Sequence, residues 1–375
     1  MSEGIEAVVM PKWGLAMQEG MLAAWLVEEG ESVAKGQEIA EIETSKIANV
    51  FESPAAGVLR RRVAREGETL PVGALLAVLA PASVDEEAID RFVAEFQARF
   101  AEALAARKAE AAPEPATVEA GGRRIRYLEV GEGEGPPVLF LHGFGGDLTS
   151  WSLNQEALAG EHRTLALDLP GHGGSDKRIA RGDLEELAEA VAAFLDTLGL
   201  SRVHLVGHSL GGAVALRLAL DRPGRVASLT LVAPAGFGEE IADAYLEGFL
   251  RERRAKKLRP VLEMLVRDPT MIGREMVEEV LRYKRLDGVP EALAKIRERC
   301  FGGGRQRILL RDRLAELPMP VQVLWGREDR ILPARQAEGL PEGVAVTILE
   351  ECGHLAHMEK AEACNAALRR FLAGG

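Results

Sequence analysis

Val203-His204-Leu205-Val206-Gly207-His208-Ser209-Leu210-Gly211-Gly212-Ala213-Val214-Ala215-Leu216 passes from a short apolar stretch, through Gly-x-Ser-x-Gly, into helix formers. The pattern predicts a buried strand, a sharp turn bearing Ser209 and a helix folded back on the strand. The glycines permit strained backbone and close approach of the helix, which leaves the serine hydroxyl prominent at the strand's end. The bland alternative is a glycine-rich turn with an incidental serine. The strand before it and the helix after it favour a nucleophile.

The same short apolar signature recurs on both sides. Pro137-Val138-Leu139-Phe140-Leu141, Thr164-Leu165-Ala166-Leu167-Asp168, Ser228-Leu229-Thr230-Leu231-Val232 and Pro320-Val321-Gln322-Val323-Leu324-Trp325 read as strands, with helical stretches such as 183–198 between them. Residues 118–375 are therefore expected to form a mostly parallel sheet with helices on both faces. Residues 235–314 break the alternation. They read as helical and rich in Arg, Glu and Leu, a lid over the sheet's carboxyl edge. Arg251, Arg253, Arg254 and Arg259 in that run either meet phosphates or form a solvated helix face, and the solvated face is preferred.

A serine nucleophile needs backbone N–H groups aimed at the developing oxyanion. Leu210, directly after the serine, is expected to give one. Phe144, in His142-Gly143-Phe144-Gly145-Gly146, is expected to give the other. A phosphate loop is disfavoured because no Gly-Lys-Ser/Thr follows. The acid and then the histidine should come later in the chain. Asp329 on the loop Trp325-Gly326-Arg327-Glu328-Asp329-Arg330 is the acid, with Glu328 competing; a solvated loop charge is the alternative for either. His354 in Cys352-Gly353-His354-Leu355-Ala356-His357 is the base, and His357 is read as packing. No metal site is expected, since the two histidines lack the Glu of the metalloprotease pattern.

The 375 residues and 47% hydrophobic content allow two cores. A net charge of −12 argues against nucleic acid or an anionic membrane as partner. The longest apolar stretch, around 71–82, is too short to span a bilayer, and the acidic start lacks the basic character of a secretory signal. Cys300, Cys352 and Cys364 have neither zinc nor redox spacing and read as reduced thiols of a cytoplasmic protein. Cys352, two positions before His354, is read as a local packing residue rather than a reactive thiol.

Residues 1–81 contain an internal echo. Gly20-Met21-Leu22, Glu29-Gly30-Glu31-Ser32-Val33, Gly36 and Ile39-Ala40-Glu41-Ile42 recur as Gly57-Val58-Leu59, Glu66-Gly67-Glu68-Thr69-Leu70, Gly73 and Leu76-Ala77-Val78-Leu79, always 37 positions on. Short alternating runs broken by glycine turns predict strands, and a duplicated set predicts two similar sheets covering each other's apolar face. Lys46, in Glu43-Thr44-Ser45-Lys46-Ile47-Ala48, falls between the halves and is expected at a hairpin tip. Residues 82–117 are expected to hold a helix and a linker. Ile89, Phe92, Val93, Phe96, Phe100 and Leu104 recur at helical spacing, so one face must be buried. A partner or a second copy is preferred over the chain itself as the cover. Ala111-Ala112-Pro113-Glu114-Pro115-Ala116 reads as a semi-stiff linker. A dozen such residues would reach about 40 Å.

Residues 5–80 resemble lipoyl domains, flattened barrels of two sheets, with Lys46 where that family carries its lipoyl amide. Ser45 and Ile47 flank the lysine, where the related biotin domains have Met on both sides. Residues 118–375 resemble the α/β-hydrolase superfamily. Asp168-Leu169-Pro170-Gly171-His172-Gly173-Gly174-Ser175 is similar to a loop of its epoxide-hydrolase and carbon–carbon-hydrolase branches. Ser209 in the nucleophile position excludes the aspartate route to epoxide or halide chemistry. The combination resembles the acyltransferase components of acetoin dehydrogenase complexes. That resemblance implies acetyl transfer from lipoate on Lys46 to coenzyme A. It also implies a thiamine-diphosphate-dependent dehydrogenase component and dihydrolipoamide dehydrogenase as partners, and a homo-oligomeric chain. His172 to Asp176 matches the start of the His-x-x-x-Asp-Gly motif of other 2-oxoacid acyltransferases, but Lys177 replaces the glycine and no catalytic role is assigned. Two readings stay open beside this one: a serine hydrolase (thioesterase or carbon–carbon hydrolase) tethered to a carrier, and a non-enzymatic scaffold in which Lys46 alone works.

Overall fold

The computed structural model describes residues 4–11, 19–43, 48–110 and 113–374. The chain divides into two compact units, Met1–Ala112 and Pro113–Gly375.

The first unit contains β1 (Glu6–Val9), β2 (Glu19–Trp25), β3 (Ser32–Val33), β4 (Glu38–Glu43), β5 (Ala48–Glu52), β6 (Gly57–Arg62), β7 (Thr69–Pro71) and β8 (Leu75–Ala80). They form two four-stranded sheets, ordered β1-β8-β6-β3 and β5-β4-β2-β7. The echo maps β2, β3 and β4 onto β6, β7 and β8. The halves nevertheless exchange strands: β3 of the first half completes the sheet of β6, and β7 of the second completes that of β2. The two junctions are equivalent. Leu22 N donates to Glu68 O at 3.0 Å, and Leu59 N to Glu31 O at 2.9 Å. Both turn on a glycine with positive φ, Gly67 at 80° and Gly30 at 91°. Val8, Leu22, Ile39, Ile42, Leu59, Leu76 and Leu79 fill the space between the sheets. Glu43 pairs with Ala48; the four residues between them, Lys46 included, lie outside the described residues.

Helix α1 (Glu86–Glu110) belongs to this unit. Ile89 is fully buried against Ile5, Leu75, Val78 and Ala80, with Phe92, Val93 and Phe96 packed around it. The cover for its apolar face is thus the chain's own first unit, not the partner or second copy expected from sequence. The reason lies in β8, whose six residues are all buried. Its inner face serves the barrel, and its outer face needs a lid that α1 supplies. Helix α1 ends at Glu110 and the next strand begins at Ala116.

The second unit is built on an eight-stranded sheet. Its strands are β9 (Ala116–Ala120), β10 (Arg123–Val130), β11 (Val138–Leu141), β12 (Thr164–Leu167), β13 (Val203–His208), β14 (Val226–Val232), and, after a small hairpin of β15 (Phe301–Gly302) and β16 (Arg305–Gln306), β17 (Val321–Gly326) and β18 (Val344–Leu349). The order is β18-β17-β14-β13-β11-β12-β10-β9. All neighbours are parallel except the β10–β12 and β9–β10 pairs. Strand alternation sorts side chains into two cores. Leu139, Leu141, Leu165 and Leu205 face α3 (Leu184–Thr197) and α4 (Leu210–Asp221). Val138, Phe140, Ala166 and Val206 face α2 (Ser152–Leu158) and α10 (Ala361–Ala373), with short α9 (Ala356–Glu359) between β18 and α10. Helices α5 (Asp243–Arg251), α6 (Ala255–Leu262), α7 (Arg274–Tyr283) and α8 (Val289–Cys300) occupy the interval between β14 and β17. Among the described residues, no helix is long and apolar enough to cross a membrane.

Candidate active site

Ser209 directly follows β13 and directly precedes α4, with φ = 51° and ψ = −116°. A side chain there is strained, and two glycines make room for it. A Cβ on Gly207 would overlap the Gly211 carbonyl, and one on Gly211 would overlap the carbonyls of Leu141 and His142. The other described non-glycine residues with positive φ are Ala233, directly after β14, and Glu351, shortly after β18. All three follow the carboxyl ends of strands in this sheet, where α/β folds build their sites.

His354 and Asp329 come from the loops after β18 and β17. His354 Nδ1 lies 2.7 Å from Asp329 Oδ2, and both side chains are buried. The carboxylate also accepts from Trp325 Nε1 at 3.0 Å, Ile331 N at 2.8 Å and Leu332 N at 2.9 Å. Four donors hold it, which fixes its direction. The neighbouring carboxylate points elsewhere: Glu328 Oε2 accepts from Cys352 N at 2.9 Å and so braces the histidine loop from behind.

The loop after β11 lies against the serine. A Cβ on Gly143 would stand 3.1 Å from Ser209 Cβ and 2.8 Å from His208 Nδ1. The backbone N–H groups of Phe144 and Leu210 donate to no other group among the described residues. Tyr245 Oη reaches the Phe144 carbonyl at 3.4 Å and fixes that peptide from α5. Gly143, Phe144, Ser209 and His354 line one cavity of about 210 Å³, flanked by mostly apolar side chains of α5, α6 and α7.

His208 escaped the sequence reading, and several other residues near the site serve packing. His208 is fully buried and its Nε2 lies 3.0 Å from the His354 carbonyl. A carbonyl can only accept, so Nε2 carries the proton and ties β13, which leads into Ser209, to the loop of His354. Burial, together with His357 and His354 nearby, holds the pKa of His208 well below its ordinary value. Its signal was the variable position before the serine, which the motif leaves free. His357 stacks on Trp151 at 4.2 Å between ring centres, and burial pushes its pKa down to about 3. Burial pushes the Cys352 thiol up to about 12. In the loop after β12, Asp168 accepts from Leu148 N and Gly174 N at 2.8 and 2.6 Å, and pairs with Arg126 at 3.2 Å; His172 is buried beside His142 in the same loop. Arg259 pairs with Glu263 at 3.1 Å, and Arg251, Arg253 and Arg254 are exposed and do not line the cavity.

Fold and elbow define an α/β-hydrolase unit joined to a lipoyl-type unit. The family described as alpha/beta hydrolase fold matches residues 136–361, and the family described as Biotin-requiring enzyme matches residues 6–79. The chain is 47% identical to the dihydrolipoyllysine-residue acetyltransferase component of the acetoin cleaving system of Cupriavidus necator, over all of this chain and 99% of that one. It is 47% identical to the component of the same name from Pseudomonas putida, over 98% of each. The chain belongs to this family of two-unit acetyltransferase components. In fold it is also similar to a meta-cleavage product hydrolase from Pseudomonas fluorescens, with a TM-score of 0.63 and 23% identity over 69% of this chain and 97% of that one.

Proposed function

We propose that this chain is the acetyltransferase component of an acetoin cleaving system, and that it moves acetyl from a lipoyl arm on Lys46 to coenzyme A through Ser209. The observation that carries the reading is the convergence of Ser209 and the His354–Asp329 pair on one apolar cavity, in a chain that also bears a lipoyl-type unit. The first unit fits an arm at Lys46, because β4 and β5 pair as far as Glu43 and Ala48 and Glu43 is exposed. Bound there, lipoate supplies a swinging thiol that presents acetyl as a thioester.

The second unit does the rest. His354, oriented by Asp329, takes the proton of Ser209 as its Oγ attacks the thioester carbonyl. The N–H groups of Phe144 and Leu210 stabilise the oxyanion. The carbon–sulfur bond breaks, His354 returns the proton to the departing thiol, and an acetyl ester remains on Ser209. His354 then takes the proton of the coenzyme A thiol, whose sulfur attacks the ester; Ser209 recovers its proton as acetyl-coenzyme A leaves. The apolar helices over the cavity oppose entry of water, which would otherwise take the acyl group. Tethering keeps the donor near millimolar local concentration, about the level of short flexible linkers. The partners we assign are a thiamine-diphosphate-dependent dehydrogenase that loads the arm and dihydrolipoamide dehydrogenase that reoxidises it, with the chain acting as a homo-oligomer in the cytoplasm.

The test supplies S-acetyl-dihydrolipoamide to the lipoylated chain with coenzyme A and measures acetyl-coenzyme A against acetate. Acetyl-coenzyme A as main product, lost in Ser209→Ala, is the expected result. Acetate at saturating coenzyme A would leave a tethered thioesterase. Transfer surviving Ser209→Ala would remove the serine from the mechanism.

A further inference from the structure

The cavity beside Ser209 is larger than its proposed cargo. Its volume is about 210 Å³, whereas an apolar cavity of about 150 Å³ already takes a six-carbon ring. An acetyl group has two carbons. The wall beyond the catalytic groups is mostly apolar and includes Phe249, Leu262, Met276, Val280 and Phe301, with Asp147 and Glu279 as its charged members. Phe249 and Phe301 stand edge-on to Phe144, with 5.9 and 6.3 Å between ring centres. The apolar wall therefore starts at the loop assigned to the oxyanion. Helix α7 splits its apolar residues between two tasks. Val277 and Leu281 are buried in the core, while Met276 and Val280, one turn apart, face the cavity. A site shaped for acetyl alone would fill this space with side chains.

Resting on the acyl-transfer reading above, we infer that the site acts on straight-chain acyl thioesters up to about six carbons, not on acetyl alone. The chemistry is unchanged: the acyl carbon passes from thiol sulfur to Ser209 Oγ and on to the coenzyme A sulfur, with His354 carrying the proton each way. The acyl carbonyl is pinned between Ser209 and two N–H groups, so added methylenes extend along the apolar wall. Each methylene moved from water onto such a wall raises kcat/KM by about fourfold until the space is full.

The test uses the full, lipoylated chain with S-acyl-dihydrolipoamides bearing acetyl, butanoyl, hexanoyl or decanoyl groups. Coenzyme A is the acceptor and Ser209→Ala the blank. The expected profile rises in kcat/KM from acetyl through butanoyl to hexanoyl and falls at decanoyl; a level series would overturn the inference. Val280→Phe, which fills the wall from α7, should lower the hexanoyl-to-acetyl ratio by about tenfold or more. Should that variant fail to fold, the wild-type series decides by itself. Butanoyl turned over about tenfold or more slower than acetyl overturns the inference alone and leaves the space to another part of the donor, such as the arm's own hydrocarbon chain. Decanoyl turned over as well as hexanoyl overturns the size limit. No Ser209-dependent transfer from any donor, acetyl included, removes the proposed function and this inference together.

Discussion

Asp329 and Glu328 are adjacent and chemically alike, yet their surroundings separate them sharply. Asp329 accepts from two backbone N–H groups through Oδ1 and from Trp325 and His354 through Oδ2. An asparagine there must turn its NH₂ toward donors whichever way it faces. Asp329→Asn is therefore expected to misorient His354 and lower the single-turnover transfer rate by about 10⁴. Glu328 accepts one backbone N–H, from Cys352, and an amide oxygen can do the same. Glu328→Gln should keep transfer within about tenfold, since the hydrogen bond is retained with a neutral acceptor. Equal losses in the two variants, measured on lipoylated protein, would contradict this division of roles. His208 invites a similar contrast. His208→Leu removes the donor to a buried carbonyl and should cost about 1–3 kcal/mol in urea unfolding. It should also lower kcat more than it raises KM, because the carbonyl belongs to His354 itself. His208→Gln, which restores an N–H donor, should recover part of kcat; no recovery would mean that the imidazole only fills space.

Helices and strands show where local information ends. Ile89 anchors α1 on β8 at full burial, so Ile89→Ala should destabilise the first unit by about 2–5 kcal/mol. The Arg61–Asp90 pair ties α1 to β6, the sheet neighbour of β8, at 2.6 Å, but Asp90 is 63% exposed. Its removal should leave amide protection of β8 unchanged, because exposed ion pairs contribute little. Hydrogen exchange of β8 peptides checks both, and an equal effect of the two changes would refute the burial argument. A second element-level contact joins α5 to the loop proposed to hold the oxyanion. Gly145 has φ = 74°, and a Cβ there would overlap the Phe249 ring. Gly145→Ala should displace Phe144 and lower kcat by about 10²–10³, the loss typical of one misplaced oxyanion donor. Stopped-flow measurement of the acyl-transfer step checks it. The elbow at Ser209 was legible in sequence because strand, turn and helix are contiguous there and the glycines act on their immediate neighbours. The 37-residue echo likewise announced two similar sheets. Strand exchange between β3 and β7 was not legible, since two equivalent pairings differ only in which half supplies the edge. The destination of α1 was open for a related reason: the unbroken Leu75–Ala80 run signals burial on both faces, but not by what. The choice between Asp329 and Glu328 needed side-chain direction, which spacing along a loop does not encode.

The two units also differ in how their stability must respond to acid. All seven histidines lie at or beyond position 142, so the first unit has none. In the second unit, His142, His172 and His208 are buried with pKa values pushed below normal, and His204 and His357 are lowered to about 4 and about 3. Desolvation is the leading cause in every case, because an imidazolium cannot be hydrated in these sites. The sign follows from proton counting. In the unfolded chain these groups titrate near 6.5. Above that pH they are neutral in both states and contribute no pH dependence. Below it the unfolded chain takes up protons that the native unit refuses, so stability falls as pH falls, until the native values are reached. Each fully buried histidine can remove about 1.4 kcal/mol per pH unit in that window. Several acting together can approach the total stability of a domain, about 5–15 kcal/mol. The first unit has no histidine to protonate in that window, and its Glu86 carboxyl is held below its ordinary value by Arg60 and Arg61, so that unit should be nearly indifferent between pH 7 and 5. Hydrogen exchange of the full chain, read peptide by peptide and corrected for the intrinsic pH dependence of exchange, should therefore show protection collapsing across β11, β13 and β14 on going from pH 7 to 5, while β2, β4 and β8 keep theirs. Parallel loss in both units, or none in the second, would mean that the buried histidines already share protons in the native state or that the unit opens to water before they titrate.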